Sequence, residues 1–329
     1  MKRPHRILGQ RSRGLGNINT LRLLVSEAAM SASNVSVDVA TFFPNVNGNL
    51  TKIVWEHAVN SKEKLANALV SANIMMLEAD VTLGTLNGTS NSSTTPIPIM
   101  AHPPATDSNL SLDEFLNTVI HNNVTKGIKL DFKSIEAFNA SKPILEKVRN
   151  NTKFPVFLNA DILPGPVNAN TTEVNAKAFV KQAMEFPEYT LSVGWTTRYG
   201  TKDNVTKGQY TEQQIQNMIN ILKEQNVTQP ITYPVRAGLA ANSMKVMKSL
   251  MENSSFTNDV TLTVWSSEGD KVDAETLSTL IRDIGVKKVY VDVPQDLMNK
   301  LHLSGASSVM VASITLAASL LTGLLSTIL

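Results

Sequence analysis

Between residues 51 and 293 two hydrophobic patterns alternate along the chain. Short runs rich in β-branched and aromatic residues predict strands. They are TKIVWEH (51–57), IMMLEADV (74–81), KGIKLDF (126–132), FPVFLNAD (154–161), TLSVGW (190–195), PITYPVR (230–236), VTLTVW (260–265) and KKVYVDV (287–293). Segments between them, such as SKEKLANALVSA (61–72), SLDEFLNTVIHN (111–122), TEQQIQNMINILKEQ (211–225) and DAETLSTLIRDIG (273–285), space apolar residues by three and four. That spacing, with Ser, Thr or Asp near the starts, predicts capped amphipathic helices. Eight β-α units in about 240 residues predict a (βα)8 TIM barrel rather than an open doubly wound sheet. Only one link is long: LGTLNGTSNSSTTPIPIMAHPPAT reads as a surface loop followed by a short extended piece, PIPIMAH.

The chain of 329 residues is 42% hydrophobic and 18% charged, enough for a sizeable core. A net charge of +2 with both signs mixed leaves no one-signed field and argues against a nucleic-acid partner. With no cysteine, disulfides, thiolate metal sites and cysteine nucleophiles are excluded, so any metal must sit on oxygen or imidazole. Twelve N-x-[ST] sequons (Asn34, 49, 87, 91, 109, 123, 139, 150, 170, 204, 226 and 253) point to the secretory pathway and an extracellular or cell-surface glycoprotein. The N-terminus does not support this, because LRLLV, broken by Arg22 and ended by Glu27, makes a poor signal peptide. At the other end VMVASITLAASLLTGLLSTIL, 21 uncharged residues preceded by SGASS, reads as a GPI-anchor signal or a retained transmembrane anchor. The expected division is a poorly ordered segment 1–44, a barrel 45–300 and a hydrophobic anchor 301–329.

In IMMLEADV, strand alternation turns Glu78 and Asp80 to one face. Two like charges together imply a compensating cation or a solvated rim. Other predicted strands end in polar residues as well: His57 on the first, and Lys129, Asp131 and Lys133 on one face of the third. In a barrel, neighbouring strand ends bring Glu78, Asp80 and Asp131 into a carboxylate cluster suited to Mg²⁺ or Ca²⁺. His57 and His102 could flank it as general base and acid. The structural alternatives are hydrogen-bonded histidines and an internal Lys129–Asp131 ion pair. Trp55, Trp195 and Trp265 fall near strand ends as packing residues, with pocket lining as the alternative, and Trp195 joins the substrate-facing candidates. His5, His121 and His302 have only surface roles.

WEHAVNSKEKL, IMMLEADVTL, IPIMAHPPATDSNLSLDEFL, KGIKLDFKS, PVFLNADILPGP, TLSVGWTT, YPVRA, LTVWS and VYVDV, in that order over residues 50–293, resemble the menorin family of extracellular or membrane-attached proteins. That family is in turn similar to the barrels of glycerophosphodiester phosphodiesterases and phospholipase-D toxins. The resemblance implies a metal-dependent site with His57 as first histidine, Glu78 and Asp80 as an E-x-D ligand pair, His102 as second histidine, Asp131 as third-strand ligand and Lys133 near the phosphate. Asn159, Arg236 and Asp292, at the ends of later strands, are implied either to support the site residues from behind or to position substrate. Where the enzymes follow the first histidine with Arg-Gly and the second with Asp, this chain has Ala58-Val59 and Pro103. The missing Arg removes a phosphate donor unless Lys129, Lys133 or Arg236 replaces it. Two readings follow: a membrane-attached phosphodiester-cleaving enzyme on a phosphodiester or lipid substrate, or a non-catalytic module binding cell-surface proteins.

Overall fold

The computed structural model describes residues 36–88, 95–122, 124–169 and 173–304. The hydrophobic C-terminal run and most of the N-terminal segment lie outside the described residues. Eight parallel strands follow one another around a TIM barrel: β1 (Trp55–Glu56), β2 (Met76–Leu86), β5 (Gly127–Phe132), β6 (Val156–Pro164), β7 (Thr190–Thr196), β8 (Ile231–Arg236), β9 (Val260–Trp265) and β10 (Val289–Asp292). Each sits on an expected run. Helices return the chain along the outside, started by side-chain caps from Ser61, Ser134, Thr211 and Asp273.

In the long link the expected extended piece PIPIMAH is present as a strand, but the expected surface loop starts later than its sequence suggests. β2 continues to Leu86 and pairs with an antiparallel β3 (Ile97–Met100) and a short parallel β4 (Asp107–Ser108). Gly84 permits this packing, since a Cβ there would stand 2.3 Å from the Thr106 carbonyl oxygen.

Parallel register sorts the side chains into layers. Outward-facing Leu77, Ala79, Val81, Ile128, Leu130 and Leu158 are fully buried under the helices. Trp195 belongs to this outer set: it packs 5.5 Å from Tyr210 and 6.2 Å from Tyr233 and donates to the Gln214 carbonyl. It therefore faces helix Glu212–Glu224 and not substrate, because it lies one residue out of phase with inward Gly194.

Inside, the bottom layer is apolar. Trp55, Met76, Phe157 and Tyr290 meet Val39, Phe43, Val46, Leu50 and Ile53, which plug the N-terminal end of the barrel. Val39 and Phe43 are buried, so the folded unit extends N-terminal of residue 45 and takes in part of the segment expected to be loose. The layers above turn polar: Glu78 and Lys129 pair across β2 and β5, and the next layer runs Asp80, Asp131, Asn159, Ser192 and Thr232.

No backbone ladder joins β10 to β1 among the described residues. Side chains and a backbone hydrogen bond outside the strands span this seam instead. Trp55 meets Tyr290 edge-on at 6.0 Å, His57 bonds Asp292 at 3.0 Å, and the Leu50 amide donates to the Val286 carbonyl at 2.9 Å.

Candidate active site

The C-terminal strand ends surround a cleft of about 540 Å³. On one side Asp80 and Asp131 are register partners and Glu78 lies one pleat deeper. One carboxylate oxygen from each of the three falls within 4.8 Å of the others.

Each acid is held in place. Asn60 clamps Asp80 twice, donating to Oδ2 at 2.7 Å and accepting from its backbone amide at 2.9 Å. The Ala58 amide donates to Glu78 Oε2 at 2.8 Å. Asn159 donates to Asp131 Oδ1 at 2.7 Å, and Ser192 Oγ fixes the Asn159 amide by donating to its Oδ1 at 2.5 Å. Lys133 Nζ bridges Asp80 at 2.7 Å and Asp131 at 2.5 Å.

His57 stands at the mouth, 56% exposed. Its Nδ1 donates to Asp292 Oδ2 at 3.0 Å, and its Nε2 lies 3.6 Å from Glu78 Oε2. Asp292 thus orients the imidazole from behind and does not line the cleft. His102 lies exposed on the rim, its Nδ1 on the Pro103 carbonyl at 2.6 Å, which leaves Nε2 available.

The packing sets the proton affinities. Burial alone would lower the His57 pKa, but Glu78 and Asp292 outweigh it and push the imidazole up to about 9. Burial raises Glu78, helped by Asp80 and opposed by His57 and Lys129. For Asp131 the upward push of burial is overcome by Lys133 and Lys129, so its carboxyl is held down. Lys133 is raised because Asp131, Asp80 and Glu78 outweigh its burial. Asp161 is lifted to about 7 by burial and then by repulsion from Asp131.

Three clustered carboxylates in a site without thiolates form an all-oxygen donor set that fits a hard cation such as Mg²⁺ or Ca²⁺. Lys133 shares two of the same acids, and Lys129 is buried beside Glu78 and Asp131.

The opposite side of the cleft differs from expectation. Arg236 does not stand free: its guanidinium forks onto Asp270 at 2.8 and 2.9 Å, reaches Thr197 at 3.2 Å and lies over Tyr199 and Trp265. Trp265 is the tryptophan that lines the cleft. Asp161, Thr196 and Asp270 also line it and were not singled out in the sequence. Asp161 was within reach, being two residues beyond Asn159 in the same strand. Asp270 sits in the aperiodic loop SSEGD, which carries no signal.

These features define a class: a (βα)8 barrel with a histidine-flanked carboxylate centre at the C-terminal ends of its strands. Within that class the chain belongs to the menorin family, residues 49–298 matching the Menorin N-terminal domain. It is 39% identical over 243 residues to human Protein FAM151B, covering 74% of this chain and 82% of that protein. Among solved structures it is similar to a glycerophosphoryl diester phosphodiesterase from Parabacteroides distasonis, at 13% identity and TM-score 0.43 over 84% of this chain and 97% of that one. A candidate glycerophosphodiester phosphodiesterase from Galdieria sulphuraria is similar at 12% identity and TM-score 0.42, over 75% and 96%.

Proposed function

We propose that this protein is a metal-dependent phosphodiester-cleaving enzyme of the cell surface. The observation that carries the reading is the convergence of Glu78, Asp80 and Asp131 in an open cleft beside His57, whose Nδ1 is tied to Asp292. Glu78, Asp80 and Asp131 would hold Mg²⁺ or Ca²⁺, which supplies Lewis-acid stabilisation of phosphoryl charge. Lys133 and Lys129, which lie among the acids that would hold the cation, replace the missing Arg as positive partners of the phosphate, while Arg236 lies across the cleft on Asp270. His57, with Asp292 at its back, donates a proton from Nε2 to the leaving oxygen, the reverse of the order expected from sequence, because Glu78 and Asp292 keep its imidazole protonated. His102 takes the proton of the attacking hydroxyl at its free Nε2.

A non-catalytic module that binds cell-surface proteins is the second reading, favoured by the exposed position of His102 and the locked Arg236. In either case the sequons, with Asn87, Asn204 and Asn226 exposed, support an extracellular glycoprotein. The C-terminal apolar run supports attachment to a membrane. That run lies outside the described residues, among which no helix is long and apolar enough to cross a membrane.

The test is titration of Mg²⁺ and Ca²⁺ into the purified protein beside a Glu78→Gln/Asp80→Asn double variant, read by calorimetry and melting temperature. At a hundredfold excess over Kd a site binding only the folded state adds about 2.7 kcal/mol, a rise of roughly 5 °C for a domain of this size. The double variant should lose the rise, and His57→Ala should abolish turnover of a dialkyl phosphodiester while sparing much of that of bis(p-nitrophenyl) phosphate, whose leaving phenolate needs no proton. Absence of metal binding to the wild type at millimolar concentration would end the catalytic reading.

A further inference from the structure

A glycan joined to the amide nitrogen of Asn in N-x-[ST] is a bulky hydrophilic chain that the folded surface must project into solvent. The sequons among the described residues differ in how well they can do this. Asn49 is half-buried, its Oδ1 accepts from the Thr51 amide and hydroxyl, and Thr51 is itself buried. Asn109 Nδ2 donates to both carboxylate oxygens of Glu63, at 3.0 and 3.2 Å, and Asn253 Nδ2 donates to the Ser249 carbonyl at 2.9 Å. Ser141, the hydroxyl residue of the Asn139 sequon, is fully buried.

Asn204 has none of these constraints. It and Thr206 are both exposed, and among the described residues its side chain makes no hydrogen bond. It stands at the tip of a tight turn with φ 52°, in the left-handed region that Asn tolerates. Gly200 and Val205 close the turn by exchanging backbone hydrogen bonds at 2.7 and 3.2 Å, and Asp203 Oδ2 accepts from the Tyr199 amide at 2.9 Å.

This turn is a wall of the cleft. Its Thr201, Lys202 and Asp203 line the cleft together with Ser267 and Asp270 of the loop after β9. The two loops touch: a Cβ at Gly200 would stand 2.2 Å from Asp270 Oδ1, and one at Gly269 would stand 3.3 Å from Thr201 Oγ1. Asn226, also exposed and at φ 55°, follows helix Glu212–Glu224 at the opposite end of the barrel.

We propose that Asn204 carries an N-glycan that screens the mouth of the cleft, admitting small ligands and holding back polymer-sized ones. The sugar chain hangs from the residue next to Asp203, so the volume it excludes falls across the rim formed by the two loops. The screen rests on the cell-surface part of the reading above and is independent of the proposed chemistry.

The lack of cysteine makes access directly measurable. Ser267→Cys puts one thiol on the cleft wall beside the turn, and the hydroxyl it replaces makes no hydrogen bond among the described residues. The full chain carrying this thiol is purified from the secretory pathway of cultured eukaryotic cells, and its glycopeptides are mapped by mass spectrometry. Labelling rates are then compared for N-ethylmaleimide and for a maleimide on a long polyethylene glycol. Asn204 should be occupied. Thr206→Ala, which deletes the sequon and keeps the left-handed Asn204, should raise the polymer rate severalfold and leave the small-reagent rate unchanged. Enzymatic removal of the glycan should do the same, whereas Thr228→Ala, which deletes the Asn226 sequon, should change neither rate. Glycans at other sequons with Asn204 bare, or a polymer rate unaltered by Thr206→Ala, would overturn the screen and leave the cell-surface reading standing. A chain without glycan at any sequon would overturn the cell-surface reading and the screen with it.

Discussion

Replacing Asp292 with Asn keeps the shape behind His57 and removes one negative charge 3.0 Å from Nδ1. The ring is half exposed, so the effective dielectric lies between that of a protein surface and that of water. Taking about 40 for that constant and roughly 4 Å between charge centres, the lost attraction is about 2 kcal/mol, or roughly 1.5 pKa units. The His57 midpoint should therefore fall from about 9 by roughly one to two units in Asp292→Asn, with Glu78 still holding it above the ordinary 6.5. Long-range ¹H–¹⁵N NMR of the imidazoles of EDTA-treated protein measures this, with His57→Gln assigning one signal among five histidines. Stability has a definite sign. The folded pKa is raised, so the contribution of His57 is fully present below pH 6.5 and is lost as pH climbs through about 9. Melting temperature should fall over that window in wild type and less in the variant. A His57 midpoint unchanged by Asp292→Asn would refute the electrostatic account of the imidazole.

Two further outcomes test the scaffold. Phe157→Ala, removing a ring 1% exposed between Trp55 and Tyr290, should cost about 3–5 kcal/mol in urea unfolding, and a loss under about 1 kcal/mol would mean the bottom layer is not packed as described. Asp270→Leu should cost about 3–5 kcal/mol by stranding buried Arg236, whereas adding Arg236→Met should recover much of it; additive losses would show the pair is not coupled.

The barrel was legible because each fully buried parallel strand is a short β-branched run between helical patterns, so all eight appear where expected. The β2 extension was hidden by Ser, Thr and Pro in the link, residues that read as loop until Gly84 is seen to admit the Thr106 carbonyl. Strand alternation placed Glu78, Asp80 and Asp131 on common faces, and local pattern alone reached that far. The fate of Arg236 depended on Asp270, 34 positions away and without periodicity. The tryptophans illustrate the same limit. Being near a strand end does not decide which side a ring takes, and one residue of phase separates outward Trp195 from an inward position.

The gap between β10 and β1 gives the site a mechanical role. A cylinder of strands has one line along which no ladder resists separation, fastened below by the plug and Leu50 and above by the His57–Asp292 contact. The imidazole placed for proton transfer in the proposed reaction thus also serves as the latch of the cylinder. Every change in its charge alters how firmly the wall is shut, and amide exchange in the strands on either side of that line becomes a readout of chemistry at the mouth.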